Sequence, residues 1–265
     1  MIIMMETGTV LFAFGLTILA GLSTGIGSLI SLFTKKTSTR MLSLALGFSA
    51  GVMLYVSFVD ILPQASITSG SYAATLAFFG GIAVIMVIDR LVPSYENPHE
   101  PVKPGHLKMH DRKFCTEMHR TGIMVAVAIT IHNFPEGIAT FAGGLLDMRI
   151  GLAIAIAVAI HNIPEGVAVS MPIYCATGSR KKAIYYSFLS GLAEPLGAVF
   201  GFFFLFQFMS TGLLGMLLAA VAGIMVFISL DELLPAAREY GDHHFSIYGL
   251  IAGMGIMAIS LFLFL

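Results

Sequence analysis

Two short segments in the middle of the chain carry the residue types that bind metal ions. Each reads His-Asn-X-Pro-Glu-Gly, the first from His132 and the second from His161. In a helix, residues four apart lie on one face, one turn from each other. The His and Glu of each segment have this spacing. An imidazole nitrogen and a carboxylate placed in this way can chelate one divalent ion.

The same segments supply amide oxygens and an unusual backbone. Asn133 and Asn162 follow the two histidines, so two crossing helices would offer six ligands. Pro135 and Pro164 cannot donate a backbone hydrogen bond, which frees one carbonyl group on each helix and predicts a kink there. Such carbonyl groups are tolerated in a membrane where the backbone lines a polar cavity.

A third carboxylate, Glu194, also precedes a proline and completes the predicted cluster. Three carboxylates in an apolar environment repel one another unless protons or cations neutralise them. Nitrogen and oxygen donors without a thiolate suit Zn²⁺, Fe²⁺, Mn²⁺ or Co²⁺ better than Cu⁺, and bridging carboxylates would make the site binuclear. The predicted metal ligands are His132, Asn133, Glu136, His161, Asn162, Glu165 and Glu194.

The alternative is a polar core in which neutral histidines and protonated glutamates are hydrogen bonded. The two matching copies favour the metal site. Three more acidic residues, Asp60, Asp231 and Glu232, lie near span ends ahead of Leu-Pro and are interpreted as lining an aqueous vestibule. Met53 and Met225 are interpreted as packing residues, with a thioether ligand at one of them as the alternative.

The composition indicates the elements that must hold this cluster. Of 265 residues, 57% are hydrophobic and only 11% are charged, and the mean hydropathy is +0.90. These values exclude an ordinary soluble domain and predict an all-α polytopic membrane protein with eight transmembrane helices. The net charge of -1 provides no surface for nucleic acid. The predicted spans are Thr9 to Phe33, Met41 to Leu62, Tyr72 to Leu91, Gly122 to Leu146, Gly151 to Ile173, Ala183 to Met209, Leu213 to Leu234, and Phe245 to the C-terminus.

The basic residues predict the orientation in the lipid bilayer. Twelve of the 14 fall in the first, third and fifth loops, which the positive-inside rule assigns to the cytoplasm. An even number of spans then places both termini outside the cytoplasm, and we expect a multi-pass protein of the inner (plasma) membrane. The third loop, 93–121, is predicted to be flexible. Its histidines, interpreted either as incidental or as a loose metal collector, are His99, His106, His110 and His119.

Internal repeats flank the central pair of helices. Residues 50–65 and 222–237 align at a shift of 172, with seven of sixteen positions identical, and 19–27 resembles 189–197. The matched spans are five apart, so they cross the membrane in opposite directions. This predicts inverted repeats at 9–92 and 183–265 around central helices 122–173, within one transporter domain. Such three-plus-two-plus-three symmetry is typical of transporters that alternate access about a midplane site.

These segments resemble the ZIP family of divalent metal transporters and, within it, the bacterial ZupT-like (GufA-type) branch. The resemblance rests on HNFPEGIAT at 132–140 and HNIPEGVAV at 161–169, and extends to AGVMLYVSFVDILP, GLAEPLG and SLDELLP. It implies eight spans, termini outside, and import of zinc and other divalent ions. It also implies a binuclear site formed by the seven predicted ligands, with Met53 as a weaker ligand. The HExPHE pattern of the LIV-1 branch is absent, which implies a less zinc-restricted branch.

A transporter is therefore the leading hypothesis, with the metal ion as cargo and no resident cofactor. A membrane-embedded metalloenzyme is the first alternative, but a protease would need HExxH, and Asn133 and Asn162 occupy the position of that glutamate. A metal sensor without flux is the second alternative. The sequence leaves open the preferred metal, proton coupling and the oligomeric state, a homodimer included.

Overall fold

The computed structural model describes residues 7–33, 39–91, 112–205, 210–239 and 243–264. Within these ranges every regular element is helical, which confirms the predicted all-α class. The α-helices are α1 (Thr7–Phe33), α2 (Thr39–Val56), α3 (Leu62–Ser69), α4 (Ser71–Leu91), α5 (Arg112–Leu146), α6 (Met148–Thr177), α7 (Arg180–Gly191), α8 (Ala193–Phe200), α9 (Thr211–Ile228), α10 (Leu234–Glu239) and α11 (His243–Phe264). Single π-helical turns continue α2, α8 and α9 at Ser57–Ile61, Gly201–Leu205 and Ser229–Leu233.

Most of these helices can cross a membrane. In the described ranges, seven helical stretches are long and apolar enough to span it, and they correspond to seven of the eight predicted spans. The remaining predicted span is α5, whose 35 residues extend about 52 Å and exceed the roughly 30 Å hydrocarbon core. Its middle carries His132, Asn133 and Glu136, which make it more polar than the others. The polytopic membrane architecture is therefore confirmed.

One predicted boundary differs clearly from the structure. The fourth span was expected to begin at Gly122, but α5 begins at Arg112. Residues 112–121 contain neither proline nor glycine, so nothing in them interrupts a helix. This part of the predicted loop 93–121 is helical. The remainder, with His99, His106 and His110, lies outside the described residues.

Spans two and seven continue past Leu62 and Leu234, where they were predicted to end. The amide of Leu62 donates to the carbonyl of Ser57, five residues back, and Leu234 donates to Ser229 in the same way. Each wide turn precedes a proline, Pro63 or Pro235, which has no N–H to donate. These π-helical turns are also 172 residues apart, so the same local structure occurs at the positions that the sequence repeat relates.

Close helix crossings at glycines define a first bundle, α1 with α5 to α8. A β-carbon at Gly27 in α1 would lie 1.9 Å from the carbonyl oxygen of Ile163 in α6. One at Gly137 in α5 would lie 2.0 Å from the carbonyl oxygen of Glu194 in α8. At these points backbone meets backbone, as small residues allow in membrane helices. The helices of the first bundle are therefore held together tightly.

The other helices form a second bundle, α2 to α4 with α9 to α11. A β-carbon at Gly51 in α2 would lie 2.1 Å from the carbonyl oxygen of Leu250 in α11. One at Gly81 in α4 would lie 2.0 Å from that of Ala220 in α9. The Ser43 hydroxyl in α2 donates to the carbonyl of Ala237 in α10 at 2.5 Å. The two bundles meet along a seam where α2 faces α6.

Candidate metal centre

A tight turn brings the two repeated segments together. The Asp147 side chain caps α6 by accepting hydrogen bonds from the amides of Arg149, at 2.7 Å, and Ile150, at 3.4 Å. A β-carbon at Gly151 would lie 2.4 Å from the α-carbon of Gly144, so α5 and α6 nearly touch there. The two helices therefore run antiparallel, and residues equally distant from the turn along the chain face each other.

Each histidine consequently meets the glutamate of the other helix. His132 Nε2 lies 3.3 Å from Glu165 Oε2, and His161 Nε2 lies 3.2 Å from Glu136 Oε2. All four side chains are at most 1% exposed. The sequence had suggested that the His and Glu of one helix would act together, but the observed hydrogen bonds cross between the helices. The shared centre lies between α5 and α6.

The remaining three predicted ligands lie in the same bundle. Asn133 donates through its amide nitrogen to the carbonyl of Ser190, at 3.3 Å. Asn162 donates to the carbonyl of Ala20, at 3.1 Å, and to a carboxylate oxygen of Glu194. Because their amide nitrogens are engaged by protein acceptors, both asparagines keep their side-chain oxygens for another partner.

Several atoms of the cluster are buried without a hydrogen-bond partner. Burying an unpaired polar atom typically costs about 1–3 kcal/mol. Within the described ranges, the atoms of the predicted ligands in this condition are His132 Nδ1, Asn133 Oδ1, Glu136 Oε1, His161 Nδ1, Asn162 Oδ1 and Glu194 Oε2. The four oxygens present lone pairs, which a cation can accept. The donor set therefore fits a hard or borderline divalent ion.

The arrangement differs from that of a closed metal cage. Among the residues that the structure describes, no group of three or more His, Cys, Asp and Glu side chains has the geometry to hold an ion as it stands. The two His–Glu pairs are nevertheless suitably spaced. Ligand atoms about 2.1 Å from a tetrahedral Zn²⁺ are about 3.4 Å apart, close to the observed 3.2 and 3.3 Å. An ion could replace the proton shared by a pair with little movement of the two side chains.

Ser49 is a contact of the centre that the sequence did not predict. Its hydroxyl donates to Glu165 Oε1 at 3.0 Å, and this bond joins α2 of the second bundle to α6 of the first. The same hydroxyl lies 3.9 Å from the Met53 sulfur in α2, and the Ser57 hydroxyl lies 3.9 Å from the Met225 sulfur in α9. Met53 thus lies on the side of α2 that faces the centre.

The predicted vestibule acids occupy the two repeat-related π-helical turns. Asp60, 8% exposed, lies in the turn that follows α2, and Glu232, 6% exposed, lies in the turn that follows α9. Asp231 is exposed. The seven predicted ligands therefore lie in the first bundle, whereas these three acids lie in the π-helical turns of the second bundle.

Known proteins resemble this chain closely. Residues 91–261 match the family described as ZIP zinc transporter. The chain belongs to the ZIP family. A zinc transporter ZupT from Streptococcus mutans is 60% identical over 261 residues, which cover 96% of this chain and 97% of that protein. One from Chlorobium phaeovibrioides is 61% identical, covering 94% and 96%, and one from Nitratidesulfovibrio vulgaris is 54% identical, covering 99% and 100%.

Membership of the ZIP family decides between the classes of protein that the sequence left open. Proteins of this family are transporters, so the chain is a transporter and not an enzyme. The apolar helices agree, because they make it a multi-pass membrane protein. The metalloenzyme alternative is therefore excluded.

Proposed function

We propose that this ZIP-family chain carries divalent transition-metal ions, zinc among them, into the cytoplasm through a binuclear site between α5 and α6. The proposal rests on the buried side-chain atoms of α5, α6 and α8 that could bind a metal ion and that have no hydrogen-bond partner. Unpaired acceptors in an apolar interior are costly unless an ion satisfies them. The relatives described as zinc transporters support zinc as one cargo.

The crossed pairs support two metal positions rather than one. His132 with Glu165 and His161 with Glu136 form two separate nitrogen and oxygen pairs on the same helix interface. Each pair can hold one ion, and each glutamate has a second oxygen that can reach toward the neighbouring ion. Glu194, which accepts from Asn162, adds negative charge beside them. Three carboxylates would balance most of the charge of two divalent ions.

The bundles suggest how an ion could move. All seven proposed ligands belong to the first bundle, whereas the second supplies a wall with Ser49 and Met53 facing the centre. Asp60 and Glu232 lie in the π-helical turns that follow α2 and α9, which run in opposite directions across the membrane. We propose them as weaker binding positions on the path of the ion. Because close glycine crossings fix each bundle internally, the first bundle can shift as a unit against the second. That motion would expose the site to one side and then to the other.

The orientation of the chain in the membrane rests on the distribution of basic residues, whereas the inward direction of transport is what the resemblance to ZIP transporters implies. Twelve of 14 lie in the loops or at the helix ends assigned to one side, so that side is proposed to be the cytoplasm and both termini to lie outside it. In a bacterial cell this corresponds to the inner membrane. The end of the ion path beside Asp60 then faces outward, and the end beside Glu232 faces the cytoplasm.

Purified protein in sealed liposomes should take up Zn²⁺, and Fe²⁺, Co²⁺ and Mn²⁺ should compete for the same path. Broad selectivity is expected because oxygen donors outnumber imidazoles, so the affinity follows the intrinsic chemistry of each ion more than a rigid geometry. Uptake of labelled zinc measured with an excess of each competitor tests this. Protein-free liposomes are the control. If a large excess of all three ions left zinc uptake unchanged, the proposed broad selectivity would be contradicted. If the protein took up no zinc at all, the proposed transport function would be contradicted.

Metal binding should release protons. The ligating histidines must be neutral and the carboxylates ionised, so an ion displaces the protons that the crossed pairs hold. Apparent affinity should therefore fall as the pH drops from about 7 to about 5, through the range in which histidine ordinarily takes up a proton. Calorimetric titration in two buffers of different ionisation enthalpy counts the protons released for each metal bound. A count of zero at pH 6 would refute the proposed ligand set.

A further inference from the structure

A cavity of about 200 Å³, lined by both charged and apolar side chains, lies between the two bundles. The first bundle contributes the turn between α5 and α6, and the second contributes the ends of α2, α3 and α11. Its lining residues are Asp60, Gln64, Asp147, Arg149, Ile150, Ala153 and Leu261. Charged side chains of opposite sign therefore face one space from the two bundles.

Two helices lead from this cavity to the proposed metal centre. Along α6, Ala153 precedes His161 by eight residues, about 12 Å of helix. Along α2 and the π-helical turn that continues it, Asp60 follows Ser49 by eleven residues, about 16 Å, and Ser49 donates to Glu165. Both distances start at the cavity and end at the same cluster. We interpret the cavity as the mouth of a path to that cluster, about 12–16 Å away along these helices.

The charges at this mouth have different roles. Asp147 accepts two backbone amides and so is engaged in capping α6. Asp60 is the buried carboxylate of the lining, at 8% exposure. Arg149 is exposed, and its backbone is fixed in the first turn of α6 by the hydrogen bond to Asp147. A permanently charged residue of the first bundle therefore lines the same cavity as the buried carboxylate of the second.

We propose that Arg149 is a tethered cation that competes with the entering divalent metal for Asp60 and thereby limits the rate of capture. This inference rests on the proposed function, since it takes a divalent metal ion as the entering species. A cavity of about 200 Å³ is about 7 Å across, and both Arg149 and Asp60 line it, so an ion inside it is within about 7 Å of both residues. The repulsion lowers the chance that the ion reaches Asp60 and continues toward the centre.

Replacing Arg149 with Gln removes the charge while keeping a polar side chain. The Coulomb energy between a unit charge and a divalent ion about 7 Å apart in water predicts faster uptake at low metal concentration, by about twofold at 0.15 M salt and about fivefold at 0.01 M salt. Salt dependence is the decisive readout, because a purely structural role of Arg149 would not depend on ionic strength. Arg149→Lys keeps the charge and should behave much like the unmodified protein.

The experiment measures initial zinc uptake into cells or oriented liposomes, at zinc concentrations far below saturation and at both ionic strengths. Arg149→Gln should be faster in the stated ratios, Arg149→Lys should not, and Asp60→Asn should be slower. The inference would be overturned if Arg149→Gln and the wild-type protein took up zinc at equal initial rates, or if the ratio of their rates were the same at both ionic strengths. Wild-type protein without zinc flux would instead overturn the proposed function, so the two failures are distinguishable.

Discussion

Replacing Glu136 or Glu165 with Ala is expected to abolish metal uptake while leaving the protein in the membrane. Each carboxylate faces the imidazole of the other helix, at 3.2 Å for Glu136 and 3.3 Å for Glu165, and both are fully buried. Loss of either one removes a charged donor and leaves a buried imidazole without its partner. Since outer-shell changes alone cost 10–100-fold in metal affinity, a direct ligand should cost more than about 100-fold.

The measurement is uptake of labelled zinc by liposomes that contain equal amounts of each variant. Glu136→Gln is an informative companion, because it keeps the volume and one oxygen acceptor but removes the charge. It should also lose most transport while its melting temperature stays near that of the unmodified protein. Thr130→Ala is a matched control on α5, since Thr130 is exposed and its hydroxyl bonds only to the carbonyl of Ala126 among the contacts observed. Near-normal transport by either alanine variant would exclude the shared-site proposal.

The sequence was sufficient to predict the membrane fold because hydrophobicity and helix length are local properties. It could not predict how the helix ends behave at prolines. The predicted spans end at Leu62 and Leu234, just before Pro63 and Pro235, yet a π-helical turn before each proline lets the chain continue as helix. Whether a proline ends a helix or follows a wide turn depends on the surrounding packing. The first ten residues of α5, 112–121, were predicted to be loop because many of them are charged. They contain no proline or glycine, so the helix extends through them.

The candidate ligands were predictable because two copies of one polar motif stand out in apolar helices. The hydrogen bonds between them were not, because spacing within one helix does not show which side chains meet across the interface. The tight turn at Asp147 instead places His132 opposite Glu165. Ser49 was missed altogether, since a single serine in an apolar helix is common and gives no signal of what it faces. Contacts between helices distant in sequence require the packing to be known.

Replacing Gly166 with Ala is expected to disrupt the first bundle and to abolish transport. A β-carbon at Gly166 would lie 1.8 Å from the carbonyl oxygen of Thr24 in α1. The obstacle is backbone, which cannot rotate away as a flexible side chain can, so α1 and α6 must separate. Overpacking typically costs about 1–3 kcal/mol and more where nothing can yield, which corresponds to a melting temperature lower by about 5 °C or more.

The effect should reach the metal centre because Gly166 follows Glu165 directly. Separation of α6 from α1 would also stretch the hydrogen bonds that Ser187 donates to the carbonyls of Thr24, at 3.0 Å, and Gly166, at 3.4 Å. Gly80→Ala is the matched control, since a β-carbon there meets nothing within 4 Å and alanine favours helix by about 0.5–1 kcal/mol. Thermal melts of the two purified variants, followed by zinc uptake, make the comparison. If Gly166→Ala were as stable and active as Gly80→Ala, then α1 and α6 would not be held in contact at this crossing, and the first bundle could not move as a single unit.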